Sequence, residues 1–257
     1  MHLHKGSLAL AVAGLVAAAA AVAAQQVPAV PDYVGKAVAD PARGDNAKDD
    51  ARRHVAELVA FSGAKPGDKV VELIPSGTGY FTQVFSKVVG DGGKVYAIWP
   101  TEYDKEAGTD SADVRKLAQR PGFGNIEVLV QPAAAFSTPG PVDVVFTSQN
   151  YHDYPDKFMG PTDPALLDKA VFAALKPGGT FVVIDHVAEA GSGLRDTGTL
   201  HRIDPEFVKK QVMAAGFEYA GESGVLRNPK DDHTLKVFDK AIRGHTDQFA
   251  YKFRKPM

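Results

Sequence analysis

Two short segments of the sequence carry residues that could do chemistry. In residues 72–79 a carboxylate, Glu72, comes before a turn that contains Gly77 and Gly79. Glycines let the backbone come close to a ligand, and the free N–H groups at the start of a helix favour polar or anionic partners. The segment therefore predicts a binding turn, although many proteins of alternating strands and helices need such glycines simply to turn.

The second segment, residues 149–154, is a run of polar and aromatic side chains. A histidine can act as a general base near neutral pH, and an amide can position a substrate. We therefore predict His152 as a base and Asn150 as a positioning residue, with Tyr151 or Tyr154 shaping the pocket. The alternative is structural: Asn150 caps the loop and His152 lies on the surface.

Further histidines follow two later strands of the predicted fold, at Asp185-His186 and at His201. Strand ends on one edge of a parallel sheet converge, so Asn150, His152, His186 and His201 are expected to line one pocket. Three histidines and a carboxylate suffice for zinc or another divalent ion. Because no tight His-x-x-x-His spacing occurs, however, no metal site is predicted.

Residues 226–245 form a stretch that is long for a connection between two strands. Loops of that length are often lids and often only insertions. Its His233 and Arg243 are candidates for substrate contact, and the alternative is a solvated, charged loop.

Short apolar runs alternate with helical patterns, and this alternation predicts the fold class. The main strands are predicted at residues 69–74, 94–98, 126–130, 142–147, 180–185, 217–222 and 248–254, and the helices at residues 52–61, 81–89, 112–119, 164–175 and 205–215. Strands that are apolar along their whole length indicate a mostly parallel sheet with helices on both faces. We therefore predict a doubly wound α/β fold, with one domain over residues 49–257. Residues 25–48 show neither a helical nor a strand periodicity of apolar residues, and they are predicted to be an extended arm.

The composition excludes several classes of protein. The 257 residues include 29 basic and 31 acidic side chains, a net charge of −2, and no cysteine. Such a chain is not a disulfide scaffold, a thiolate zinc protein or a nucleic-acid binder that works through excess positive charge. No nucleic-acid partner is expected.

The first 24 residues differ from the rest, since Lys5 is their one formal charge and an apolar, alanine-rich stretch follows it. A basic start, an apolar middle and small residues before Gln25 are typical of a secretory signal peptide. We predict cleavage after Ala24, a periplasmic or secreted location and no stable membrane anchor afterwards. An uncleaved anchor is the alternative.

The glycine turn and several later motifs resemble the class I S-adenosylmethionine-dependent methyltransferases. The later motifs are the strand at residues 142–146, Leu175-Lys176-Pro177-Gly178-Gly179, and residues 201–205 leading into Ala215-Gly216-Phe217. The resemblance covers about residues 50–257 and is closest to a small bacterial group of predicted, often exported methyltransferases. It implies a Rossmann-like sheet of seven strands in the order 3-2-1-4-5-7-6, with the seventh antiparallel.

The resemblance also implies a cofactor and a site. The cofactor is S-adenosylmethionine, and the substrate is an unknown small molecule. The implied cofactor contacts are Glu72, Pro75, Ser76, Gly77, Gly79, Trp99 and Asn150; the catalytic residues remain His152, Asn150 and Tyr151.

This chain departs from the usual family pattern at two strand ends. Trp99-Pro100 stands where an acid usually binds the ribose, and Gln131-Pro132 replaces the usual acidic contact to the adenine. Glu102 or Asp104 are possible substitutes for the ribose contact, and Trp99 either stacks on the adenine or packs in the core. Two functions therefore stay open: a methyltransferase, or an exported non-catalytic binding protein that retains the scaffold.

Overall fold

The computed structural model describes residues 29–106, 108–160 and 162–257. The signal peptide predicted for residues 1–24, with its cleavage site, lies outside these residues. Within the described part of the chain, no helix is both long enough and apolar enough to cross a bilayer.

A single seven-stranded sheet forms the centre of the protein. Its strands are β1 Lys69–Leu73, β2 Lys94–Pro100, β3 Ile126–Gln131, β4 Val142–Ser148, β5 Leu175–His186, β6 Glu218–Ser223 and β7 Gln248–Arg254. They lie in the order β3-β2-β1-β4-β5-β7-β6. The first five strands are parallel, and β7 runs antiparallel to both of its neighbours. The predicted strand order and the antiparallel seventh strand are therefore confirmed.

Helices cover the sheet on both faces. They are α1 Asp32–Val38, α2 Asp50–Arg53, α3 Val55–Ser62, α4 Tyr80–Val89, α5 Thr101–Glu106, α6 Asp110–Ala118, α7 Pro164–Ala174, α8 Thr197–Leu200 and α9 Pro205–Ala214. Helix α4 packs on β1 and β2 beside α1 and α3, and α7 packs on β5 beside α9. Val144, Val145 and Phe146 of β4 are all buried. Because successive strand residues point to opposite faces, this burial confirms a sheet that is covered on both sides.

The described part of the predicted extended arm is helical instead. Helix α1 buries Val34 and Ala37, and a 3₁₀ helix follows at Pro41–Asp49. Arg43 of that helix is buried and pairs with Asp50 at 2.6 Å. The sequence does not predict α1 because a helix of seven residues is too short to show a clear helical periodicity of apolar residues. Such a short helix is stabilised by its packing against the rest of the domain.

Candidate active site

The turn between β1 and α4 borders a narrow cavity at the carboxyl end of the sheet. Gly79 ends the turn with a φ of +61°, a left-handed conformation that glycine adopts without strain. Gly77 packs so closely on the start of α6 that an added Cβ would lie 2.4 Å from Asp110 Oδ1. This cavity, the glycine-turn cavity, has a volume of about 200 Å³. Four of the predicted cofactor contacts line it: Glu72, Pro75, Ser76 and Asn150.

A larger cavity of about 510 Å³, the histidine cavity, lies beside the first. Its polar wall is formed by Asn150, His152, Asp153, His186 and His201. The prediction that Asn150 and these three histidines line one pocket is therefore confirmed. Asn150 and His152 follow β4 and His186 ends β5, so they lie at the same edge of the sheet, and His201 follows α8.

The two cavities share part of their walls. Tyr103, Gln149 and Asn150 line both of them. The rings of Phe158 and Phe238, which are 38% and 53% exposed, stand in the wall of the histidine cavity. The two cavities are therefore neighbours at the carboxyl end of the sheet.

His152 is held by a buried carboxylate, Asp185. The backbone N–H of His152 donates to Asp185 Oδ2, and Nδ1 of its ring lies 2.8 Å from Asp185 Oδ1. Burial alone lowers the pKa of His152, but the charge and hydrogen bond of Asp185 raise it well above its usual value. An imidazole with a raised pKa is protonated at neutral pH, and a protonated ring cannot accept a further proton. The role of His152 as a base therefore stays a prediction.

The other ionisable groups of the histidine cavity have shifted pKa values as well. Burial lowers the pKa of His186 to about 4, and its Nδ1 lies 2.8 Å from the hydroxyl of Thr246. Burial and the nearby charge of His152 lower the pKa of His201. Burial raises the pKa of Asp153 to about 6. Clusters of such perturbed groups in a cleft are typical of functional sites.

Backbone strain is concentrated where the two cavities meet. Ile74 and Gln149, directly after β1 and β4, have φ angles of +49° and +66°. A left-handed β-branched residue is an outlier, and strain of this kind clusters at functional sites. In the amide orientation that satisfies its partners, Asn150 donates to Ser148 O at 2.6 Å and to Ile74 O at 3.2 Å. Asn150 therefore ties the two strand ends together. Its role in positioning a substrate stays a prediction.

Two predicted site residues lie elsewhere than expected. Tyr151 is fully buried, and its hydroxyl donates to Asp168 of α7 at 2.9 Å rather than reaching either cavity. Trp99 is also fully buried, because the sheet is covered on both faces at β2, so no ring face is open to an adenine. Both side chains pack the core.

The candidate contacts of the long loop have different positions. His233 Nε2 lies 3.1 Å from Asp247 Oδ2, which fixes the ring within its own loop. Arg243 lines a neighbouring cavity of about 380 Å³ together with His186 and Gln149. A role of either residue in substrate contact stays a prediction.

Sequence reasoning missed two residues of the glycine-turn cavity, Arg53 and Tyr103. The Arg53 guanidinium lies 4.2 Å from the ring centre of Tyr80 and 4.9 Å from that of Phe81. It makes no hydrogen bond or ion pair with any other described residue. No motif marks Arg53, because it comes from α2, well before the glycine turn in the chain.

No protein-family model matches the chain. It is 31% identical over 200 residues to the ubiquinone/menaquinone biosynthesis C-methyltransferase UbiE of Hydrogenovibrio crunogenus, across 74% of this chain and 72% of that protein. It is 30% identical over 179 residues to the UbiE of Vibrio parahaemolyticus, across 68% of this chain and 63% of that protein. The chain belongs to the class I S-adenosylmethionine-dependent methyltransferase family. Membership confirms the predicted cofactor, S-adenosylmethionine.

Solved structures agree with this methyltransferase fold. An S-adenosylmethionine-dependent methyltransferase from Aquifex aeolicus matches with a TM-score of 0.56 and 18% identity, over 86% of this chain and 96% of that one. The [4+2]-cyclase SpnF matches with a TM-score of 0.60 and 16% identity, over 80% of this chain and 82% of that one. Because a cyclase shares the fold, the fold by itself does not decide the reaction.

One side chain of this methyltransferase fits the cofactor in the glycine-turn cavity, and two others are candidates for the ribose contact. The unpaired Arg53 guanidinium in the glycine-turn cavity suits the carboxylate of S-adenosylmethionine. Just after β2, a buried Oδ1 of Asp104 has no hydrogen-bond partner among the described residues, but Asp104 lines neither cavity, so its ribose contact stays a prediction. The other predicted substitute, Glu102, already accepts the backbone N–H of Ala133 at 3.0 Å.

We expect Glu72 to make the stability of this methyltransferase depend on pH. Burial raises the pKa of Glu72 from 4.5 to about 7, against the opposing hydrogen bond from Thr82 and the charge of Arg53. The folded state therefore keeps a proton that the unfolded chain releases. This stabilisation is fully present below about pH 4.5 and is lost as the pH rises through 7, a change of about 3 kcal/mol in the free energy of unfolding.

Urea unfolding of the wild type and of Glu72→Gln between pH 4 and 8 measures this effect. The glutamine cannot ionise, so the wild type should lose stability relative to the variant as the pH rises. Other ionisable groups act in both proteins and cancel in the difference. Parallel curves for the two proteins would show that the pKa of Glu72 is not raised.

Proposed function

We propose that this chain transfers a methyl group from S-adenosylmethionine in the glycine-turn cavity to a small aromatic acceptor in the histidine cavity. The bound cofactor supplies a methyl group on a positively charged sulfur, and the acceptor's electron pair forms the new bond as the carbon–sulfur bond breaks. The observation that carries the proposal is the shared wall of Tyr103, Gln149 and Asn150. It places a donor in one cavity next to an acceptor in the other, which is the proximity that methyl transfer needs.

The lining of the histidine cavity supports an aromatic acceptor that bears hydroxyl or carbonyl groups. The rings of Tyr103 and Phe158 lie 5.9 Å apart, and Phe238 stands 4.9 Å from the His201 ring. These rings offer apolar surfaces for an aromatic molecule, and the polar wall offers hydrogen bonds to its oxygens. The names of the UbiE relatives, C-methyltransferases of ubiquinone and menaquinone biosynthesis, favour a quinol-like ring and a carbon acceptor atom.

Calorimetric titration and a methyl-transfer assay test this proposal in two steps. We expect S-adenosylmethionine and S-adenosylhomocysteine to bind the purified protein, and labelled methyl groups to pass to a small quinol. Binding without transfer to any of a panel of quinols, phenols and amines would favour the non-catalytic binding protein. No heat and no thermal shift at millimolar ligand would contradict cofactor binding.

Arg53→Met should weaken the binding of S-adenosylmethionine about 10- to 100-fold. A hydrogen bond to a charged group contributes about 1.5–3 kcal/mol, and methionine keeps the bulk of the side chain without its charge. The dissociation constants of both proteins are measured by calorimetry.

The matched control is Arg52→Met, one residue earlier in α2. Arg52 is partly exposed, pairs with Asp49 at 2.8 Å and does not line the glycine-turn cavity. We expect its affinity for S-adenosylmethionine to match the wild type. If the wild type, Arg53→Met and Arg52→Met bound S-adenosylmethionine with equal affinity, Arg53 would not contact the cofactor.

We also propose that residues 1–24 direct export and are removed after Ala24. The basic start, the apolar stretch and the small residues before Gln25 support this location. Cell fractionation and the mass of the isolated protein test it. A chain that keeps Met1 in the cytoplasmic fraction would contradict it.

A further inference from the structure

The wall of the histidine cavity contains three donor atoms that converge on one point. His152 Nε2 lies 3.3 Å from His201 Nδ1 and 3.3 Å from Asp153 Oδ1, and the last two atoms are 4.0 Å apart. A point equidistant from atoms at these separations lies about 2.1 Å from each of them, which is the length of a zinc–nitrogen or zinc–oxygen bond. We propose that His152, Asp153 and His201 bind a divalent transition-metal ion, represented here by Zn²⁺.

The residue behind His152 supports the proposal. Asp185 Oδ1 accepts a hydrogen bond from Nδ1 of the His152 ring, so Nε2 is the nitrogen that faces the other two donors. A bound cation takes the place of the proton on that nitrogen. Metal-binding histidines are typically held by a carboxylate in this way. Asp185 itself is fully buried and also accepts the backbone N–H groups of His152 and His186, so its own position is fixed.

The backbone of His201 is strained in the way that functional positions often are. His201 follows α8 with a φ of +54°, in the left-handed region that residues other than glycine rarely adopt. Its ring meets the His152 ring edge to face, with ring centres 5.3 Å apart, and packs on Phe238. This conformation brings Nδ1 of His201 to the other donor atoms.

The donor set and its surroundings indicate which ion would bind and what it would do. Two imidazole nitrogens and one carboxylate oxygen favour Zn²⁺ and its first-row neighbours over Mg²⁺, which prefers oxygen ligands. A tetrahedral ion separates its ligands by about 3.3 Å, so two of the three distances already match, and a small shift of the His201 ring closes the third. The cavity side stays open for a further ligand, as in catalytic zinc sites.

At this place the ion would bind an oxygen of the acceptor and orient the ring toward the glycine-turn cavity. That use of the ion rests on the proposed function, whereas ion binding itself does not. No metal site is predicted from the sequence, because it contains no tight His-x-x-x-His spacing. Here the two histidines are separated by 48 residues of the chain and meet only in the fold.

Titration of the chelator-treated full chain with Zn²⁺, without S-adenosylmethionine, tests the site. We expect one equivalent to bind, Co²⁺ to give a visible absorption band when it replaces Zn²⁺, and Mg²⁺ not to compete. His201→Ala should weaken Zn²⁺ binding at least 100-fold, as expected for the loss of one of three ligands, and Asp185→Asn about 10- to 100-fold. His54→Asn, which changes a partly exposed histidine outside the cavity, should bind like the wild type.

Circular dichroism and thermal unfolding establish that each variant is folded. No saturable uptake of Zn²⁺ by the wild type, or equal affinity in His201→Ala, would overturn the proposal and leave a plain hydrogen-bonded cluster. Because the titration contains no cofactor, its result is independent of methyl transfer. A protein that binds Zn²⁺ but not S-adenosylmethionine would keep the metal site and refute the proposed function.

Discussion

Replacing His152 with alanine should lower the turnover number for methyl transfer by about 10²- to 10⁴-fold and leave the affinity for S-adenosylmethionine within a few-fold of the wild type. His152 lines the histidine cavity but not the glycine-turn cavity. Its loss therefore removes the group that faces the acceptor and spares the contacts of the cofactor. Steady-state kinetics with an identified acceptor, together with calorimetry for the cofactor, measure the two effects separately.

Two further variants keep this result interpretable. Because His152→Ala leaves the buried Asp185 without its ring partner, the variant could lose stability as well as activity. His152→Gln retains an amide that can donate to Asp185, so a folded but inactive glutamine variant separates the two effects. His245→Ala changes an exposed histidine outside both cavities and should keep the wild-type rate. A wild-type rate in the folded His152 variants would remove His152 from the reaction.

Replacing Arg202 with methionine should lower the free energy of unfolding by about 3–5 kcal/mol, because it leaves a buried carboxylate without its partner. The side chains of Arg202 and Asp231 are 0% and 1% exposed, and they are joined by two hydrogen bonds of 2.9 and 3.0 Å. Arg202 also donates to the backbone oxygens of Val187 and Leu235. It thus ties the end of β5 to the long loop that carries Phe238. Urea unfolding measures the loss.

Arg195→Met is the matched control for this change. Arg195 also pairs with carboxylates, but its side chain is 58% exposed, so its loss should cost at most about 1 kcal/mol. We also expect Arg202→Met to raise the KM for the acceptor more than the KM for S-adenosylmethionine, since Phe238 lines the histidine cavity and not the glycine-turn cavity. Equal stability losses in the two arginine variants would contradict the role of Arg202 as a buried anchor.

The position of the histidine cluster is predictable in part from the sequence. Parallel strands end on a common edge of the sheet, and this rule predicts that one cavity is lined by Asn150, His152, His186 and His201. It did not predict that Asp185 would hold the ring of His152 from behind, or that Asp153 and His201 would close on its other nitrogen. The distances of about 3 Å between these side-chain atoms depend on side-chain rotamers and on the left-handed backbone of His201. Neither feature can be recognised in the amino-acid sequence.

The fold class and the glycine turn are predictable from apolar periodicity and from short motifs, which are local properties of the chain. The strand order and the cofactor are predictable only through the family that those motifs resemble. Which side chains face the cavities is seen in the three-dimensional structure alone. In that structure Tyr151 and Trp99 lie in the core, and Arg53 and Tyr103 line the glycine-turn cavity. The described part of the predicted arm is helical. Burial and convergence depend on packing between residues that are far apart in the chain, and a local pattern cannot specify them.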